Sequence, residues 1–255
     1  MSHIDGGTMV GRIRFRVGDI LTVSCPFTEA QVSAVRPGYV SIRWPWNRVD
    51  PDTPQFAWNG EVAVTSDPAH FDWKRELFRT DPAPQHLRPG AVCRVGIPLT
   101  VVHVTDVVVC DPPRATGILP RPTLLLGVLL AGQTEVPEHE DQGCTLDPDD
   151  DVPTSIDLLF RPYDFLHLGD EVIDTNDCSW RFRGPWHWER LADGTAAMPA
   201  WPLTLTARLE GFDEADMSAV YDATESGSHS GEVARWSWLA DATPFDRSSL
   251  RRDQP

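Results

Sequence analysis

Residues 12–23, Arg12-Ile13-Arg14-Phe15-Arg16-Val17-Gly18-Asp19-Ile20-Leu21-Thr22-Val23, read as two strand segments joined by a Gly-Asp turn. In the first segment Ile13, Phe15 and Val17 alternate with Arg12, Arg14 and Arg16, the period-two pattern of a strand with one face buried and the other in solvent. Gly18-Asp19 then reverses the chain into the apolar run 20–23. Further short candidates follow at 31–35, 39–44 and 61–64, separated by Gly, Pro, Asn and Asp, and this rhythm predicts a barrel or sandwich.

The same punctuation recurs downstream. Leu168-Gly169-Asp170-Glu171-Val172 echoes Val17-Gly18-Asp19-Ile20, and Arg88-Pro89-Gly90-Ala91-Val92 falls between them. Trp44-Pro45-Trp46 is matched by Trp186-His187-Trp188, and each region later reaches an apolar segment, 61–64 and 201–209. These echoes are those of a degenerate repeat of a small β-unit. Gly-Asp before a strand is also a common turn, so they equally fit independent turns.

Three units are expected. The first, 1–79, ends in a short helix opened by Asp67-Pro68, where Asp caps the free amides and Pro suits the first turn; Phe71, Leu77 and Phe78 supply its apolar stripe. The stretch 80–90 contains three Pro and reads as a connection. A middle unit, 88–133, holds the Val-rich run 101–109 and the continuous apolar run 124–130. An acidic linker, 134–160, precedes a C-terminal unit, 161–247, with an acidic amphipathic helix over 211–224 and a last strand over 232–239. The fold class is mainly β: two or three small barrel or sandwich units with one or two short helices. In its Gly-Asp openings and short strands the architecture resembles SH3-like barrels, which implies a binding role without saying what is bound.

The 23 Pro and 18 Gly punctuate the chain too often for long helices, while ten Trp and 41% hydrophobic residues provide ample core. Residues 1–11 lack a basic patch followed by an apolar run, so no secretory signal is expected and a cytoplasmic location follows. The longest apolar run, 123–131, is well short of the roughly 20 residues a spanning helix needs. Five scattered Cys without a CxxC read as small buried hydrophobes, not a disulfide framework or zinc knuckle.

The net charge of −16 is regional. Residues 122–160 carry nine acids and no Lys or Arg, and residues 209–234 carry seven more. Without them, 22 of the 38 acids face 22 bases, so the rest of the chain is balanced. Such fields repel phosphate backbones, which argues against direct nucleic-acid binding and for a protein partner with a basic surface. Both stretches also fit solvated loops kept soluble by their charge.

Motifs for catalysis are missing. Asp147-Pro148-Asp149-Asp150-Asp151 starts like a calcium loop, but Val152 stands where the tight turn needs Gly and Leu158 where a bidentate Glu belongs. Glu138-His139-Glu140-Asp141 near Cys144 reads as an acidic loop. No GxSxG, HExxH, GxxxxGK[ST] or GxGxxG occurs, so no catalytic residue, metal site or cofactor is assigned. Asp164, His167 and Asp170 cluster without matching a known pattern.

Trp beside Pro or Arg is the most distinctive feature, since Trp and Arg are the pair most enriched at interface hot spots. Trp44, Trp46, Arg181, Arg183, Trp186, His187 and Trp188 are therefore the candidate binding residues. The favoured function is non-enzymatic protein–protein interaction, of inhibitor or immunity type, with a basic partner. The alternative is a hydrolase using carboxylates and His, with or without a metal.

Overall fold

The structure, a computed structural model, describes residues 15–53, 55–56, 58–65, 77–131, 143–185 and 187–226. The expected segment 12–14, most of the helix over 67–79, Trp186 and the strand over 232–239 lie outside them. The described chain is mainly β, as the alternation predicts, and all its strand pairs are antiparallel.

In chain order the strands are β1 Ile20–Arg36, β2 Tyr39–Arg43, β3 Arg48–Val49, β4 Glu61–Thr65, β5 Arg79–Asp81, β6 Val92–Val109, β7 Ile118–Leu119 and β8 Leu124–Leu130. They continue with β9 Cys144–Leu146, β10 Ser155–Phe160, β11 Glu171–Ile173, β12 Ser179–Gly184, β13 His187–Arg190 and β14 Thr204–Ala207, followed by helix α1 Glu214–Glu225. The largest sheet runs β4-β2-β1-β6-β8-β9, with β10 on β1 and β5 on β6, and curls into a half-barrel. A second sheet runs β13-β12-β11-β14, and β3 pairs with β7.

Two long strands, β1 and β6, organise the first sheet. The runs expected as separate strands at 21–23 and 31–35 are one strand, because β6 pairs with it from Ile20 to Gln31 and so bridges the two runs. The pairing slips between Val23 and Cys25 and again between Cys25 and Thr28, around Pro26, whose missing N–H cannot serve the ladder. Opposite the slip lies Gly96, where a Cβ would sit 2.8 Å from the Cys25 carbonyl oxygen and 2.9 Å from the Phe27 Cα. Pro26 and Gly96 thus bend the strand pair at one place without interrupting it. The N-terminal half of β1 pairs with β10 and its C-terminal half with β2.

The bend divides the core. Leu21, Val23, Val102, Val104, Leu126 and Val128 fill one side, and Val32, Val40, Ile42, Cys93 and Val95 the other, with Trp46 and Phe78 packed against both. Strands β1 and β6 join across the Pro-rich stretch 80–90. Within the stretch expected as an acidic linker, β9 and β10 are strands held by β8 and β1.

The second sheet packs around Tyr163, Leu166, Val172, Trp180, Phe182, Trp188, Leu203 and Leu205, with Val220 of α1 completing the cluster. Helix α1 is present as the sequence predicts but starts three residues later than expected, at Glu214: the Asp213 carboxylate accepts the Asp216 amide at 3.0 Å while Asp216 accepts the Asp213 amide at 3.1 Å, a reciprocal cap.

The Gly echo has a common geometry. Gly18, Gly90 and Gly169 have φ of +92°, +81° and +90°, each closing a turn from Arg16, Arg88 and His167 respectively. In each, the glycine amide donates to one residue of a facing strand (Val104, Val32, Phe182), and that residue's amide donates back to the carbonyl following the glycine. Two residues thus face one, a turn followed by a bulge, and only glycine adopts that φ without strain.

Candidate recognition site

Trp44 and Trp46 emerge where β2 ends. The Trp44 amide donates to Gly60 at 2.9 Å, and Pro45 then lets the two indoles converge. Their ring centroids lie 4.7 Å apart at 84°, and Phe78 packs edge-on against Trp44 at 4.7 Å and at 5.9 Å from Trp46. Both indoles remain half-buried.

The Trp44 Nε1–H donates to the Asn47 side-chain oxygen at 2.7 Å, and the Asn47 amide nitrogen donates in turn to Asp150 Oδ1. Asn47 therefore ties the Trp pair to the acidic run, 103 residues away. That run forms a compact turn between β9 and β10: the Asp149 amide donates to Asp147 Oδ1 at 2.9 Å, the Asp150 amide to the Asp147 carbonyl, and Thr123 Oγ1 to Asp149 Oδ2 at 3.2 Å.

Burial raises the Asp150 carboxyl above its ordinary value despite the Asn47 amide and two backbone amides that favour the charged form. Burial, then the Asp150 and Asp149 charges, raise Asp147. The result is a cluster of carboxylates, partly withdrawn from water, beside an aromatic pair. A neighbouring cation would relieve both, and indole faces attract cations as well. Among the described residues no group of three or more His, Cys, Asp or Glu is arranged to hold a metal ion.

The other described candidates, Arg181, Arg183, His187 and Trp188, lie on the second sheet, apart from Trp44 and Trp46. Arg181 pairs with Glu171 at 2.8 Å and Arg183 with Glu189 at 2.7 Å, cross-strand pairs that neutralise both guanidiniums. His187 is exposed on β13, and Trp188 is buried in the core, 4.9 Å from the Phe182 ring. The cluster Asp164, His167 and Asp170 resolves into the Gly169 turn, where the His167 amide donates to Asp170 Oδ2 at 2.8 Å and Arg208 covers the carboxylate. His103 is buried in β6, its pKa pushed down to about 4 by desolvation.

Sequence reading missed Asn47, Asp150 and Phe78 as partners of the Trp pair. The only signal was the adjacency of Asn47 to Trp-Pro-Trp, since Asp150 is remote in sequence and Phe78 was assigned to a helix stripe.

These features define a mainly β protein with an aromatic and acidic surface corner on a half-barrel. Comparison with protein-family models, curated proteins and solved structures finds no match to the chain.

Proposed function

We propose that this protein is a non-enzymatic, intracellular interaction protein, of inhibitor or immunity type, that binds a partner with a basic surface at the Trp44, Trp46, Asp149, Asp150 corner. The observation that carries this reading is the Asn47 bridge, which holds an indole pair against a carboxylate cluster in a stretch, 122–160, without Lys or Arg. An Arg or Lys side chain meets both needs: its stem covers the indoles and its charge is received by the carboxylates. Complementary charge also speeds encounter, as an inhibitor requires. The turn and bulge shared by Gly18, Gly90 and Gly169 supports reading the sheets as related SH3-like units, whose surfaces commonly serve binding.

The test is affinity capture on the immobilised protein at about 0.05 M salt, with a variant carrying Trp46→Ala, Asp149→Lys and Asp151→Lys in parallel. A basic protein retained by the wild type, released near 0.5 M salt and missing from the variant supports the assignment. Equal retention by both, or none by either, overturns it.

A further inference from the structure

The second acid-rich stretch lies on a different surface, and its reading rests on the basic-partner assignment above. Helix α1 turns Val220 and Thr224 inward, and Met217 packs on the core. Outward it presents Glu214, Ala215, Ser218, Ala219, Asp222 and Glu225. At its base Leu209 is 96% and Phe212 37% exposed, and Tyr221 is 40% exposed farther along. Ala215 and Ala219 stand one turn apart, small enough for another backbone to approach closely.

Residues 209–225 contain no Lys, Arg or His. Asp213 and Asp216 are engaged in the helix cap, and Arg208, the nearest base, is committed to Asp170 at 2.7 Å and Asp216 at 3.0 Å. Glu210, Glu214, Asp222 and Glu225 remain to face outward. The last turn of α1 has acids and no base, at the end where the helix dipole is already negative. That arrangement disfavours the isolated helix and favours a cation brought to it. The same charge repels nucleic acid and anionic membranes, which leaves a cationic, partly apolar polypeptide as the complementary occupant.

We propose that the outward face of α1, with Leu209 and Phe212, docks a basic amphipathic helix of a partner protein. Apolar residues of that helix cover Leu209, Phe212 and Ala215, while its Lys or Arg reach Asp222 and Glu225.

The test uses the full chain and a fluorescent peptide of about 18 residues with Leu at helical spacing and Lys elsewhere, read by anisotropy beside a scrambled peptide of equal composition. The wild type should bind the amphipathic peptide about tenfold tighter than the scramble, and Leu209→Ser or Asp222→Lys with Glu225→Lys should weaken binding about tenfold. These positions are exposed, and circular dichroism verifies that the variants stay folded. Equal binding of both peptides, no binding, or α1 variants within about twofold of wild type would overturn the proposal. Should Asp149→Lys with Asp151→Lys abolish binding while the α1 variants do not, the α1 site fails and the basic-partner assignment survives at the Trp corner.

Discussion

Arg208 closes on Asp170 at 2.7 Å with both side chains almost wholly withdrawn from solvent, and Arg161, itself partly exposed, closes on the buried Asp19 at 2.6 Å. Each pair anchors one of the two Gly-Asp turns. The difference is burial: Arg208 is 7% exposed and Arg161 21%. Removing either cation strands a buried carboxylate, at a cost of about 3–5 kcal/mol for a fully buried pair. Arg208→Ala should reach that range and Arg161→Ala should fall below it, measured by urea unfolding. Equal losses would mean that burial does not set the cost.

The three turn glycines provide an internal comparison. An Ala at φ near +80° to +90° costs about 1–2 kcal/mol wherever it is placed. At Gly90 and Gly169 a Cβ meets open space, whereas at Gly18 it overlaps the ring of Pro185, which follows β12. Gly18→Ala should therefore cost about 1–3 kcal/mol more than Gly169→Ala in thermal or urea unfolding.

Stability should depend on pH through His103. Its folded value, about 4, lies below the ordinary 6.5 because burial disfavours the imidazolium. Between these values the unfolded chain takes up a proton that the folded one refuses, so stability falls as pH drops through that window, on the order of 3 kcal/mol in all. In His103→Gln this part of the slope disappears. Urea midpoints for both proteins at about pH 7 and about pH 4.5 measure it.

Asp174 titrates with the opposite origin. Burial alone would raise its carboxyl, but the amides of Cys178, Ala200 and Asn176 and the Trp180 indole outweigh burial and hold it below its ordinary 3.8. Its contribution is present above that value and is lost as pH falls through the lower folded one. Asp174→Asn should be destabilised at neutral pH, and the gap to wild type should narrow in unfolding measurements below about pH 4.

Asn47→Ala should remove the partner of the Trp44 indole and of Asp150 together. Leaving half-buried polar groups unmet costs about 1–3 kcal/mol. A changed Trp emission with reduced affinity for a basic partner is expected. Unaltered binding would separate the bridge from recognition.

The local alphabet of the fold was legible in the chain: strands at 39–44, 61–64 and 124–130, an acidic helix near 211–224, and the Gly-Asp punctuation whose turns share one geometry. Each depends on nearest-neighbour chemistry, namely side-chain alternation, helical spacing of apolar residues or a residue tolerating positive φ. What required the folded chain was every relationship spanning it. The continuity of β1 through Pro26 depends on Gly96 facing it, the Asp150 carboxylate reaches the Trp pair only through Asn47, and Arg181 and Arg183 are neutralised by acids on neighbouring strands. Composition reports how much charge and aromatic surface a chain holds, but pairing depends on register. Register is decided by which strands meet, a long-range choice that no local pattern encodes.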